Sequence, residues 1–301
     1  MSITVINLSK HYGQQKAVND ISFAVNKGEV VGFLGPNGAG KSTTMKMITG
    51  YLAADAGQVS VCDISVNDHN IDAKKKIGYL PEANPLYLDM YVREYLTFIA
   101  GIHGISNSNQ RINEVIDTVG LRPEAHKKIS QLSKGYKQRV GLAASLVHDP
   151  EVLILDEPTS GLDPNQIIEI RNVIKALAKE KTILFSSHIM QEVEAICDRV
   201  IIINKGNIVA DDRLVNLQQS NKAQQHVTVV FKNAADETWM KQLPGALNVT
   251  AIAPNSFTIE CDNAEAIKKQ LLQLSIEKNL DIVSLQSEAR SLENVFKALT
   301  T

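Results

Sequence analysis

Three features of the 301-residue chain predict an α/β fold on a mainly parallel sheet, followed by a smaller α+β unit. The first is the glycine-rich segment Gly35-Pro36-Asn37-Gly38-Ala39-Gly40-Lys41-Ser42-Thr43, set between a short apolar strand and the start of a helix. The second is the apolar run Val152-Leu153-Ile154-Leu155, the pattern of a parallel strand covered on both faces, which ends in Asp156-Glu157. The third is the polar stretch 218–225, free of branched apolar residues, which reads as a linker. The expected domains are therefore 1–217, with a helical subdomain at about 84–150, and an accessory unit at 226–301.

Each element has its own signal. Residues 3–8 alternate apolar and polar like a strand, and a turn at Lys10-His11-Tyr12-Gly13 leads to strand residues 17–18 and 21–25. Strand 30–34 feeds the glycine-rich segment, whose helix closes at Gly50. A strand at 58–61 follows, then a polar connection from 64 to 76 whose Lys74-Lys75-Lys76 reads as a solvated helix face. Strand 77–80 stops at Pro81, which cannot donate to a continuing ladder. The stripe Val92, Tyr95, Leu96, Ile99 and Ile102 predicts a helix, and others are expected at about 112–119 and from Leu132 to about Val147. Beyond strand 152–155 come a helix at about 165–178, strand 182–185, helix 190–197 and strand 200–203. The accessory unit reads as strands 227–231, 249–252 and 256–260, a helix from 264 to about 278, strand 282–285 and a closing helix 292–299.

Composition bounds the function. With 44% hydrophobic residues the chain can fill both cores, and 31 basic against 33 acidic residues leave no cationic excess for a nucleic-acid backbone. Nucleic acid is therefore not an expected partner. Cys62, Cys197 and Cys261 are far apart, which argues against a disulfide framework or a zinc site and suits a reducing compartment. No apolar run reaches the length of a membrane span, and the first residues do not read as a signal peptide. The expectation is a cytoplasmic protein whose membrane role, if any, comes through a partner.

Chemistry concentrates at two places. Gly35, Gly38 and Gly40 let the backbone turn its amides toward an anion, and the following helix adds its unpaired N-terminal amides. Strand, loop and helix together make a phosphate-binding loop in which Lys41 reaches the β/γ-phosphates and the Ser42 hydroxyl ligates Mg²⁺. Asp156 and Glu157 stand at the carboxyl end of a buried strand, where open α/β sheets place ligands, and magnesium is their natural partner. Tyr12 offers a flat face for an adenine; the alternative is a turn tyrosine that is simply packed.

Over roughly residues 1–217 the ordered set resembles the ATP-binding subunit of an ATP-binding cassette (ABC) transporter. It comprises the phosphate loop at 35–43, Glu82, Leu132-Ser133-Lys134-Gly135-Tyr136, the acidic strand 152–157, Ser160-Gly161-Leu162-Asp163 and His188. The resemblance implies a P-loop NTPase of the RecA-like type with a helical subdomain, binding ATP and Mg²⁺. It implies that Asp156 holds the metal while Glu157 polarises the attacking water, and that His188 contacts the γ-phosphate and fixes the water and Glu157. Glu82 stands where the family more often has glutamine, and is expected on the metal side. The segment 132–136 departs from the family's Leu-Ser-Gly-Gly-Gln at its third and fifth residues but keeps Ser133 and Gly135. By resemblance these two close over the ATP of a second copy, giving a head-to-tail homodimer with Asp163 across the interface.

The single cassette with a C-terminal appendage resembles subunits that serve a separate ABC-2-type permease from the inner face of the cell membrane. Residues 78–82, 84–87 and 291–296 resemble the ATPase of bacterial gliding motility. Resemblance also places permease docking near residues 85–102, with Tyr87, Leu88, Met90 and Tyr91 as contact candidates; the alternative is packing of the helical subdomain alone. Two rival classes fit these residues less well. A soluble cassette ATPase acting on ribosomes or DNA usually has two cassettes or a coiled-coil insertion, and a small-molecule phosphotransferase leaves Ser133-Lys134-Gly135 and the His188 spacing unexplained.

Overall fold

The computed structural model describes residues 1–67, 70–219 and 225–288, together with positions 293, 296, 299 and 300. The chain separates into two compact units, one spanning Met1–Arg213 and the other Leu214–Leu299.

The first unit begins with β1 (Ile3–Tyr12), β2 (Gln15–Val25), β3 (Val30–Leu34), α1 (Lys41–Ile48), β4 (Ala56–Val61), β5 (Ile64–Ser65), α2 (Ile71–Lys75) and β6 (Ile77–Leu80). Then come α3 (Val92–Ile102), α4 (Ser108–Thr118), α5 (Lys134–Leu146), β7 (Val152–Asp156), α6 (Pro164–Leu177), β8 (Thr182–Ser187), α7 (Met190–Ile196), β9 (Arg199–Asn204) and β10 (Asn207–Arg213). Strands β2-β1-β4-β5 form an antiparallel sheet, and the larger sheet runs β10-β9-β3-β8-β7-β6. All neighbours in the larger sheet are parallel except β10, which pairs antiparallel with β9.

Every residue of β3, β7 and β8 is buried, which is why these strands carry no alternation. Phe33 and Met45 pack with Val5, Phe23 and Val59 of the antiparallel sheet in one core, and the Phe23 and Phe33 rings lie 5.6 Å apart. Register aligns the strand ends: Leu34 lies opposite Ser187, and Asp156 opposite Ser186. The sheet thus delivers the phosphate loop, the acidic pair and His188 to one edge.

Several boundaries differ from expectation. The predicted strand fragments at 17–18 and 21–25 are one strand, because Asp20 at φ +53 absorbs the irregularity without breaking the ladder to β1. Strand β10 went unread because its residues, half-exposed in alternation, look like a polar loop, although Lys205 and Gly206, both at positive φ, form the turn of a two-residue hairpin. The connection 64–76 contains β5 and α2. Helix α4 starts at Ser108, and α5 starts at Lys134 because Ser133 caps it, its Oγ accepting the Tyr136 N–H at 3.4 Å. In α3, Ile102 is exposed, since it sits at the helix end beyond the packing seam where Ala100 is buried.

The second unit contains α8 (Leu214–Gln219), β11 (Gln225–Phe231), α9 (Glu237–Lys241), β12 (Ala246–Ala253), β13 (Ser256–Cys261), α10 (Ala264–Glu277) and β14 (Ile282–Glu288). Its antiparallel sheet, ordered β12-β13-β11-β14, buries Val227, Val229, Phe231, Phe257 and Ile259 against Ile267 and Leu271 of α10. The polar stretch begins within α8, its central residues 220–224 lie outside the described residues, and so does most of the expected helix 292–299.

Candidate functional site

The phosphate loop is shaped by glycines at two positions. Gly40 adopts φ +111, and a Cβ there would fall 2.4 Å from the Ala17 carbonyl oxygen; at Gly35 it would fall 2.5 Å from that of Ile203. The Gly40 carbonyl accepts the Thr44 N–H at 2.9 Å and so opens α1. Lys41, the first residue of that helix, is buried with its Nζ donating to the Gly35 oxygen at 2.7 Å and the Pro36 oxygen at 3.3 Å. The ammonium also lies 3.4 Å from Glu157 Oε1, an ion pair shielded from solvent.

Asp156 ends β7 and is 1% exposed, with Oδ1 accepting from Ser42 Oγ at 3.0 Å and from Ser186 Oγ at 2.6 Å. Glu157 turns the chain off the strand at φ +50, a left-handed conformation that a non-glycine residue holds only under constraint. The constraint is visible: its N–H donates to Ser186 Oγ at 2.9 Å, and its Oε2 lies 2.8 Å from His188 Nδ1. One buried hydroxyl therefore joins the Asp156 carboxylate to the Glu157 backbone. Sequence reasoning missed Ser186; the signal was a polar residue closing an apolar strand that register sets beside the acidic pair.

Lys41, Ser42, Glu157 and His188 border a cavity of about 500 Å³. Of the residues read from the sequence, it gathers Tyr12, Asn37, Gly38, Gly40, Lys41, Ser42, Thr43, Glu82, Glu157, Ser160 and His188, and it adds Gln15 and Ala17. Gly35, Pro36 and Ala39 do not line it. Tyr12, at the β1–β2 turn, is 52% exposed and leaves a ring face open. Ser133, Gly135 and Asp163 lie outside the cavity. Asp163 caps α6, accepting the Gln166 N–H at 3.0 Å, while a Cβ on Gly135 would meet the Gln166 side chain at 2.6 Å. The two capped helix starts therefore share a surface that this chain's own cavity does not use.

A neighbouring space is bounded by Ser42, Glu82, Asp156 and Tyr79. Burial, reinforced by the Asp156 charge, pushes the Tyr79 hydroxyl above its ordinary range, and that hydroxyl has no hydrogen-bond partner among the described residues. One hydroxyl and two carboxylates are a hard-oxygen donor set suited to Mg²⁺, which usually takes a few protein ligands and completes its shell with phosphate oxygens and water. No three His, Cys, Asp or Glu side chains among the described residues gather into a dedicated cage. Farther along, Tyr87, Leu88 and Tyr91 are exposed, whereas Met90, expected with them, is half-buried. No helix of the described residues is long and apolar enough to cross a membrane.

Comparison with known proteins identifies the family. Residues 18–160 match the family described as ABC transporter, and residues 214–300 match the C-terminal domain of DrrA1-3-like ATP-binding proteins. The chain is 35% identical to the uncharacterised ABC transporter ATP-binding protein YxlF of Bacillus subtilis, over 98% of each protein. It is 34% identical to the linearmycin resistance ATP-binding protein LnrL of the same organism, covering 98% of this chain and 96% of that one. The dimeric post-hydrolysis structure of the ATP-binding cassette MJ0796, bound to ADP and phosphate, superposes with a TM-score of 0.64 at 25% identity, covering 70% of this chain and 98% of that one. The P-loop NTPase fold expected from the sequence is thus borne out, and the chain belongs to the ATP-binding subunits of ABC transporters, which hydrolyse ATP.

Proposed function

We propose that two copies of this chain clamp ATP head to tail and that the resulting closure and reopening drive a separate membrane permease of an export system. The observation that carries the reading is the cluster Lys41–Glu157–His188 beside Asp156–Ser42, on the edge of a cavity that also presents Tyr12. Tyr12 stacks on the adenine, and the loop amides with Lys41 hold the phosphates. Ser42 and Asp156, with Glu82 nearby, would hold Mg²⁺, which would supply positive charge to neutralise that developing on the phosphates during hydrolysis. Glu157 accepts the proton of the attacking water, and His188 keeps that carboxylate aimed through the Nδ1–Oε2 contact.

The cavity lacks Ser133, Gly135 and Asp163, which supports their service to the partner's nucleotide, as does the dimeric state of the MJ0796 cassette. The exposed Tyr87, Leu88 and Tyr91 support docking of an apolar permease segment on the cytoplasmic side. Export is favoured over gliding motility because the relative LnrL is named for linearmycin resistance.

The test is Glu157→Gln. Loss of a positioned base predicts a fall in phosphate release of about 10²–10⁴-fold with MgATP binding retained and dimers accumulating. Near-normal steady-state hydrolysis removes the base assignment. A chain that stays monomeric with MgATP at every concentration removes the sandwich.

A further inference from the structure

Beneath the loops that carry Glu157 and His188 lies a buried carboxylate that the reading above leaves without a role. Glu192, in the first turn of α7, is 1% exposed. Its Oε2 accepts from Thr159 Oγ1 at 2.7 Å and from Ser187 Oγ at 2.8 Å, both from buried residues. Its Oε1 is buried with no partner among the described residues. Removing a carboxylate from water with one oxygen unsatisfied is unfavourable, and an apolar side chain of similar volume would fill the same space without that cost. Packing therefore does not account for a carboxylate at this position.

The two hydroxyls it holds belong to different loops. Thr159 lies two residues beyond Glu157 in a turn closed by Ser160 N–H to the Glu157 oxygen at 3.1 Å and Leu162 N–H to the Thr159 oxygen at 3.2 Å, and this turn runs directly to Asp163. Ser187 immediately precedes His188, and its Oγ also accepts the Ile189 N–H at 3.0 Å, so one hydroxyl spans the histidine. Neither of these hydroxyl bonds involves the phosphate loop or Tyr12.

We infer that Glu192 is a positioning residue that holds the Glu157–Asp163 loop and the His188 turn in fixed register, so that displacement at Asp163 is passed to His188. The inference rests on the roles proposed for Glu157 and His188. Without Glu192 the Ser186 hydroxyl still holds the Glu157 backbone, but Thr159 and Ser187 lose the carboxylate that joins their loops, and the 2.8 Å contact between His188 and Glu157 loses that brace. A misplacement of that kind slows turnover and leaves nucleotide binding intact.

The experiment uses the full chain, with steady-state phosphate release and MgATP titration. Glu192→Ala is expected to lower kcat by about tenfold or more with MgATP affinity held within about twofold. Thr159→Val alone is expected to lower kcat by about fivefold and to change it by less than about twofold when added to Glu192→Ala, because the carboxylate through which it acts is gone. Should Glu192→Ala fail to fold, the double variant Thr159→Val with Ser187→Ala removes both hydroxyl arms and is expected to show the same loss in kcat. An unchanged kcat in whichever of these folds, a loss confined to affinity, or a Thr159→Val effect undiminished by Glu192→Ala overturns the inference. Glu157→Gln is measured alongside: active Glu157→Gln removes the base assignment and the inference with it, whereas inactive Glu157→Gln beside a normal Glu192→Ala removes the inference alone.

Discussion

Removing one hydroxyl, by Ser186→Ala, tests whether the backbone at Glu157 is held in place by its neighbour. Ser186 is fully buried, donates to Asp156 Oδ1 at 2.6 Å and accepts the Glu157 N–H at 2.9 Å. Alanine leaves that buried N–H without a partner, at about 1–3 kcal/mol, and takes from Asp156 one of its two hydroxyl donors, with Ser42 remaining. The two losses overlap, so about 3 kcal/mol is the reasonable total, which for a unit of this size is a fall in Tm of roughly 6–12 °C by calorimetry. The functional effect follows from φ +50 at Glu157. A left-handed non-glycine residue lies about 1–2 kcal/mol above its right-handed alternative. Once the tether is gone, relaxation of that size depopulates the productive backbone by about 5–30-fold. The expected result is kcat reduced by roughly that factor, with MgATP affinity nearly unchanged, since Lys41 keeps its bonds to the Gly35 and Pro36 oxygens. A Ser186→Ala protein with wild-type Tm and kcat would refute the claim that this hydroxyl sets the Glu157 backbone.

Two further perturbations address other parts of the site and fold. Tyr12→Ala removes a stacking surface worth about 1–3 kcal/mol, so MgATP affinity is expected to fall by roughly 5–150-fold in a binding titration with kcat at saturation little changed; unchanged affinity removes the stacking role of Tyr12. Burial, with the stacked His103 next, lowers His148 to about 4 in the folded protein, while the unfolded chain takes up that proton near the ordinary value of 6.5. The unfolded state thus binds more protons between these values, and stability present above about pH 6.5 is lost progressively as pH falls toward about 4. His148→Phe, which keeps a ring against His103, is expected to flatten this part of the stability–pH curve, and an unaltered slope in denaturant titrations would reject the assignment.

Much of the architecture was legible because its signals are local. A glycine-rich turn between an apolar strand and a helix needs only backbone freedom and amide direction, and residues 35–43 carry both. Continuous apolar runs at 152–155 and 200–203 announced buried strands because a strand covered on both faces has no polar side to display. Signals that depend on pairing were harder to read. Strand β10 is an edge strand whose alternate residues face solvent, and the local sequence does not distinguish half-buried Met90 from its exposed neighbours Tyr87, Leu88 and Tyr91.

By itself the sequence determined the chemistry available: a lysine and a serine at a helix start, two acids at a strand end, a histidine after the next strand, and the order that marks an ABC cassette. Only the tertiary structure decided which atoms meet. That Lys41 faces Glu157, that Ser186 ties Asp156 to the Glu157 backbone, and that Glu192 bridges Thr159 and Ser187 all depend on parallel register between strands distant in the chain. Hydrogen bonds are decided by distances of a few tenths of an ångström, and composition and periodicity carry no information at that scale.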